Sequence, residues 1–261
     1  MKLAVVGGGR MGRALVGGLL RSGWLMADDI TVVELVAEAR SELAERFPGV
    51  PIATSCGEAD AAVLAVKPAD AEVAARAVAG AGVPRVLSIM AGITIAELEP
   101  WCGSAVVLRA MPNVPAVLGS GASGLAGGGR AGEEDFAWAE AVLSSFGVVA
   151  RMPEKLLDAV TGLSGSGPAY VFLIAEALVE AGVAQGLDRD VSELLVTATL
   201  LGSARLLSET GERAETLRAS ITSPGGTTAA GLRVLEAHRT RSALIEAVAA
   251  ATERSKELGR R

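Results

Sequence analysis

The segment Leu3-Ala4-Val5-Val6-Gly7-Gly8-Gly9-Arg10-Met11-Gly12 decides the fold of this 261-residue chain. Its first four residues are apolar and predict a short β-strand that is buried on both faces. The glycines predict a tight turn, and Arg10–Arg21, ended by Gly23, has the pattern of a helix. A strand, a glycine turn and a helix in succession are typical of the first βαβ unit of a doubly wound sheet.

The spacing of the glycines in this turn indicates a nucleotide site. Gly7 permits the turn, Gly9 lets backbone N–H groups approach a pyrophosphate, and Gly12 lets the helix pack closely on the strand. The helix N-terminus, at Arg10 and Met11, offers unpaired donors and a partial positive charge. The motif is weak alone, but its place between strand and helix predicts a dinucleotide site.

Glu34, at the end of a second apolar run (Ile30–Val33), bears on the choice of coenzyme. A carboxylate there can accept hydrogen bonds from a ribose 2′-hydroxyl and repels a 2′-phosphate, which favours NADH over NADPH. Arg40 either offsets this repulsion or lies on the solvated face of the predicted helix Ala37–Arg46.

Two domains are predicted. Further strands are expected at Ala61–Val66, Arg85–Ile89, Ala105–Leu108 and near Val148–Arg151, and we interpret the glycine-rich stretch Gly119–Gly132 as part of the sheet. Beyond Met152-Pro153 the apolar spacing is helical throughout. The predicted fold is α/β: an N-terminal Rossmann-type doubly wound sheet (1–152) followed by an all-helical domain (153–261), whose broad apolar faces indicate burial against a second copy.

Composition excludes several classes of function. A net charge of −6 argues against nucleic acid as the main partner, with only the Arg260-Arg261 pair as a basic cluster. Cys56, Cys102 and the single His238 have no disulfide or metal-ligand spacing, so no metal is expected. No targeting pattern is visible, and Glu176 and Glu180 interrupt the most apolar helical stretch. We therefore expect a cytoplasmic protein without a membrane span.

Several motifs together resemble pyrroline-5-carboxylate reductases along the whole chain. They are Gly7–Gly12, Ala65-Val66-Lys67-Pro68, Ala91-Gly92, Arg109-Ala110-Met111-Pro112-Asn113, Gly165-Ser166-Gly167-Pro168-Ala169-Tyr170 and Ser223-Pro224-Gly225-Gly226-Thr227-Thr228. The last is the most specific of these motifs.

The resemblance implies the roles of several residues. Val66, Lys67, Pro68, Ala91 and Gly92 should border NADH or NADPH, although Lys67 also suits a plain surface position before a helix. Thr228 should hydrogen-bond the ring nitrogen of the substrate and Thr227 should help hold its carboxylate. The resemblance also implies a homodimer formed through the helical domain. In this family five such dimers often assemble further into a decamer. Many members favour NADPH and lack an acidic residue at the position of Glu34, so the resemblance does not imply which coenzyme this chain prefers.

The residues of the last motif suit an anionic imine. Ser223, Gly225, Gly226, Thr227 and Thr228 form a turn that leads into a helix, and such turns bind anions through consecutive N–H groups. A ketone would require a positioned acid, whereas a protonated cyclic imine is already electrophilic. The alternative is a purely structural role, in which these residues cap a helix after a Pro-Gly break.

Two other functions remain open at this point. A β-hydroxyacid dehydrogenase-like enzyme shares the architecture but uses a lysine on the first long helix of its second domain. The corresponding stretch, Pro168–Ala184, contains no lysine. A non-catalytic dinucleotide-binding regulatory protein is the second alternative, and it gives no reason for the serine-to-threonine turn.

Overall fold

The computed structural model describes residues 1–259, so Arg260 and Arg261 lie outside the described residues. Two compact units are present: Met1–Ser166 together with the chain from Ala249 onward, and Gly167–Val248. Each is described separately.

The first unit is built on one eight-stranded sheet in the order β3-β2-β1-β4-β5-β6-β7-β8. The strands are β1 (Leu3–Val6), β2 (Ile30–Val33), β3 (Ile52–Ala53), β4 (Ala61–Leu64), β5 (Arg85–Ser88), β6 (Val106–Met111), β7 (Gly121–Gly127) and β8 (Gly147–Arg151). All neighbouring pairs are parallel except β6 with β7. The first six strands follow the order of dinucleotide-binding sheets, which confirms the predicted fold class.

Helices cover both faces of this sheet. They are α1 (Arg10–Ser22), α2 (Ala37–Arg46), α3 (Ala71–Gly80), α4 (Ile95–Cys102), α5 (Glu133–Ser144) and the short α6 (Leu157–Val160). Two apolar clusters result, one containing Leu15, Leu19 and Phe146, the other containing Val78, Leu98 and Leu157. Since β1 and β4 are buried along their whole length, their continuous apolar runs fit a sheet covered on both sides.

The ends of several strands differ from the predicted ones. Beyond Leu64 the chain leaves the sheet and passes under Gly7, whose added Cβ would stand 2.7 Å from the Ala65 carbonyl carbon. The predicted strand Ala61–Val66 therefore ends two residues early, and Val66 becomes free to line a cavity. The glycine-rich stretch contains β7, which pairs with both β6 and β8.

The second unit is helical. Its elements are α7 (Gly167–Ala184), α8 (Arg189–Glu209), α9 (Ala214–Ser220), α10 (Thr227–Ala237) and the start of α11 (Thr240–Leu258). Glycines end or separate these helices, with Gly186, Gly211 and Gly225 at positive φ. Much of its apolar surface is exposed, including Phe172 (62%), Leu194 (69%) and Leu201 (61%). By length and composition alone, the stretches Glu154–Ala184 and Arg189–Glu209 could cross a membrane.

The last turns of α11 belong to the first unit. Ser255 is buried, and its Oγ donates to Asp158 Oδ1 at 2.6 Å. The backbone of Gly259 lies against Gly92. By secondary structure the chain becomes wholly helical after β8, whereas by compactness it divides after Ser166, so the predicted domain boundary at residue 152 stays a prediction.

Candidate active site

The glycine turn is built for close approach of the backbone. An added Cβ on Gly12 would overlap the Gly7 carbonyl oxygen, so α1 can pack on β1 only with glycine there. An added Cβ on Gly9 would meet no described protein atom within 4 Å. Packing within the chain therefore gives no reason for glycine at position 9, and the open space above it fits a dinucleotide pyrophosphate.

The N-terminus of α1 is free to bind an anion. Gly9 is its N-cap residue, with no side-chain cap, and the first turn contains no acidic residue. By contrast, Thr94 and Glu97 form a complete capping box at the start of α4. The donors of α1 therefore remain available to an outside ligand.

Glu34 lies directly beside this turn. Its carboxylate accepts hydrogen bonds from the backbone N–H of Gly8 and of Val36, both at 2.9 Å. Arg40 Nη1 donates to the Leu35 carbonyl oxygen at 2.6 Å and to that of Glu34 at 3.3 Å. Arg40 is thus half-buried against the β2–α2 connection rather than a solvated helix residue.

A cavity of about 290 Å³ opens at the carboxyl ends of β4, β5 and β6, where ligands of open α/β sheets bind. Its lining residues are Met11, Ala65, Val66, Ile89, Met90, Ala91, Met111, Pro112, Asn113, Val114 and Gly165. None of these side chains is ionisable. A second cavity, of about 360 Å³, is lined by Gly9, Arg10, Arg13, Ala14, Arg46 and Val117.

The structure brings together part of the predicted coenzyme set. Met11, Val66 and Ala91 line the cavity at the strand ends. Lys67 and Pro68 are exposed in the turn that follows β4 and do not line it, and neither does Gly92, which lies at a φ of +78° in the next loop. Gly165, from the Gly165–Tyr170 motif, also lines the cavity. Ile89, Met90 and Val114 were not expected there, and their places after β5 and β6 were the signal that could have found them.

The start of α4, just beyond the loop that holds Ala91 and Gly92, is tied to β6 by a partly buried ion pair. Glu154 Oε1 accepts from Arg109 Nη1 at 2.9 Å and from the backbone N–H of Ile95 at 2.7 Å. Only 8% of the Arg109 side chain is exposed. The start of α4 and the end of β6 therefore share one carboxylate.

In the second unit, Ser223–Gly226 is a turn closed by a 3.0 Å hydrogen bond from the Gly226 N–H to the Ser223 carbonyl oxygen. Gly225 lies at a φ of +72°, and the helix predicted after this turn is α10, which begins at Thr227. Its N-cap, Gly226, has no side-chain cap, and its first turn has no acidic residue. The turn therefore presents free N–H donors and three hydroxyls, those of Ser223, Thr227 and Thr228.

Two family models match the chain. A pyrroline-5-carboxylate reductase dimerisation model matches residues 154–258, and a model described as NADP oxidoreductase, coenzyme F420-dependent, matches residues 2–92. Pyrroline-5-carboxylate reductase of Synechocystis sp. is 40% identical over 100% of this chain and 99% of its own. The chain belongs to the pyrroline-5-carboxylate reductase family. The reductase of Thermus thermophilus is also 40% identical, over 99% of both chains.

Solved reductases share the fold. A pyrroline-5-carboxylate reductase from Coxiella burnetii matches with a TM-score of 0.93 at 35% identity, over 98% of both chains. Plasmodium falciparum pyrroline carboxylate reductase with NADP bound matches with a TM-score of 0.86 at 30% identity, over 99% of this chain and 98% of that one. Prephenate dehydrogenase of A. aeolicus, at 16% identity and a TM-score of 0.54, shares the fold alone.

Proposed function

We propose that this chain reduces Δ1-pyrroline-5-carboxylate to L-proline with NAD(P)H. The observation that carries the proposal is the cavity at the strand ends, because none of its lining side chains can donate a proton as an acid. Reduction of a ketone would leave an alkoxide that needs such an acid. Hydride addition to a protonated imine gives a neutral amine and needs none.

The residues divide the work between binding and orientation. The glycine turn and the N-terminus of α1 hold the pyrophosphate, and the apolar wall formed by Met11, Val66 and Ala91 borders the nicotinamide and excludes water. Bound NAD(P)H supplies the hydride. The N–H donors of α10, with Ser223 and Thr227, hold the substrate carboxylate, while the hydroxyl of Thr228 orients the ring nitrogen.

The proposal includes the choice of coenzyme. The carboxylate of Glu34, held beside Gly8, receives the ribose 2′-hydroxyl of NADH and repels the 2′-phosphate of NADPH. NADH is therefore the preferred coenzyme, and NADPH binds more weakly.

The proposal also includes assembly and location. The exposed apolar faces of α7 and α8 lie within the segment that matches the dimerisation model, so a second copy covers them in a homodimer. Five such dimers can form a decamer. A cytoplasmic site of action without a membrane fits the two free thiols, Cys56 and Cys102.

The test is direct. Purified protein is mixed with Δ1-pyrroline-5-carboxylate and either NADH or NADPH, and coenzyme oxidation is followed at the nicotinamide absorbance band with proline measured as product. Small β-hydroxyacids with NAD+ serve as the comparison substrates. Failure to oxidise either reduced coenzyme with the imine would falsify the proposal, and turnover of a β-hydroxyacid alone would favour the dehydrogenase alternative.

A further inference from the structure

Asn113 is the only asparagine in the chain, and it lines the cavity at the strand ends. It lies two residues after the end of β6 and is half-buried. Its Oδ1 accepts from the backbone N–H of Ala122 at 2.8 Å, and its Nδ2 donates to the Ser164 carbonyl oxygen at 3.0 Å. Because one partner is a donor and the other an acceptor, only one orientation of the amide satisfies both.

Ser164, which accepts the hydrogen bond from the Asn113 amide, belongs to an irregular turn. Residues Thr161–Gly165 form a single π-helical turn between α6 and α7, in which the Ser166 N–H bonds the Thr161 carbonyl oxygen at 2.8 Å. Such turns carry an extra residue and are frequent at functional sites. Here the turn brings Gly165 to the cavity, where an added Cβ would stand 3.2 Å from Met111 Cε.

We propose that Asn113 is a positioning residue that fixes the π turn Thr161–Gly165, so that Gly165 forms the wall against which the nicotinamide ring is held. The inference rests on the proposed function, which puts the nicotinamide in this cavity. It predicts that Asn113 acts on the nicotinamide half of the coenzyme and leaves the ADP half unaffected. ADP-ribose, which lacks the nicotinamide, is therefore the discriminating probe beside NADH.

Asn113→Asp is the selective variant. The aspartate still accepts from the Ala122 N–H, but it faces the Ser164 carbonyl oxygen with a second acceptor and so repels the π turn. We expect the dissociation constant of NADH to rise about tenfold and that of ADP-ribose to change by less than about twofold, since one hydrogen bond is lost. We also expect kcat to fall and the emission spectrum of bound NADH to shift.

Gly165→Ala tests the same wall without touching the amide, and it covers the case in which Asn113→Asp does not fold. Its methyl group meets only the end of the Met111 side chain closely, so the fold accommodates it. Leu118→Ser is the control, because Leu118 is 84% exposed in the short turn Val114–Leu118 and does not line the cavity. It should keep the NADH and ADP-ribose affinities of the parent protein.

Selective loss of NADH affinity in folded Asn113→Asp supports the role of Asn113, and the same loss in Gly165→Ala supports the place of Gly165 against the nicotinamide. Equal weakening of NADH and ADP-ribose would mean a general structural role and would overturn it, as would unchanged affinities for both ligands in folded variants. If the parent protein oxidises NADH with the imine and the variants have the same coenzyme affinities as the parent, only this inference is overturned. If the parent protein does not oxidise NADH with the imine, the proposed function itself is overturned.

Discussion

At the scale of single residues, the hydroxyl of Thr228 is the most specific part of the proposed chemistry. Thr228→Val removes this hydroxyl at nearly constant volume from a half-buried position in the first turn of α10. We expect kcat to fall about 10- to 100-fold with little change in the melting temperature, since a hydrogen bond to the reacting group is lost. Thr216→Val, at an exposed position of α9, is the control. Equal turnover in the two variants would remove Thr228 from the site.

Glu34 sets a prediction about coenzyme choice. Glu34→Ser removes a negative charge whose carboxylate oxygen lies 2.9 Å from the Gly8 nitrogen in the glycine turn. The ratio of kcat/KM for NADPH to that for NADH should rise about tenfold or more, because repulsion of the 2′-phosphate is relieved. Glu45→Ser makes the same change of charge at an exposed position of α2 and should leave the ratio unchanged. An unaltered ratio in Glu34→Ser would mean that Glu34 does not face the ribose.

Cys102 sets a prediction about reactivity. Burial raises the pKa of its thiol to about 11, against a smaller opposing effect of Arg130, and the residue is only 2% exposed. Almost no thiolate is present near neutral pH, so iodoacetamide should label Cys102 only after unfolding. Mass spectrometry of a Cys56→Ser variant, with and without denaturant, isolates this thiol. Rapid labelling of the folded protein would contradict its burial.

At the scale of elements, the close packing of α1 on β1 depends on Gly12. Gly12→Ala would force the helix away from the Gly7 carbonyl oxygen and should lower the free energy of unfolding by about 1–3 kcal/mol, as overpacking does. Gly80→Ala is the matched control, since an added Cβ at the end of α3 meets nothing within 4 Å of the described chain and should be neutral or stabilising. Urea denaturation measures both. Equal stability of the two variants would show that α1 does not need this contact.

At the scale of the whole molecule, the exposed apolar residues of the helical unit predict self-association. We expect a dimer or a larger assembly of dimers in sedimentation equilibrium, because so much exposed apolar surface is rarely stable in a monomer. Leu194→Glu combined with Leu201→Glu puts two charges on the apolar face of α8 and should weaken the dimer at least about 100-fold. Ser208→Glu adds one charge at an exposed polar position of the same helix and should leave the mass of the assembly in sedimentation equilibrium unchanged. A monomeric parent protein would contradict this assembly.

The local elements of the fold were determined by sequence alone. β1, the glycine turn and α1 follow from an apolar run, from the conformational freedom of glycine and from helical periodicity, all of which act over a few residues. A helix after the serine-to-threonine turn was predicted for the same reason, since the Pro-Gly turn restricts the backbone locally. The family and its activity could also be read from short motifs.

Only the tertiary structure decided what depends on contacts between distant segments. β7 has almost no strand propensity, and it is extended because β6 and β8 pair with it on either side. Its glycines are needed for packing, since an added Cβ at Gly124 would stand 2.9 Å from Leu157 Cδ2. Asn113 and Gly165 meet at one cavity although 51 positions separate Asn113 from its partner Ser164. No local sequence pattern predicts such a contact, because it forms only when packing brings distant segments of the folded chain together.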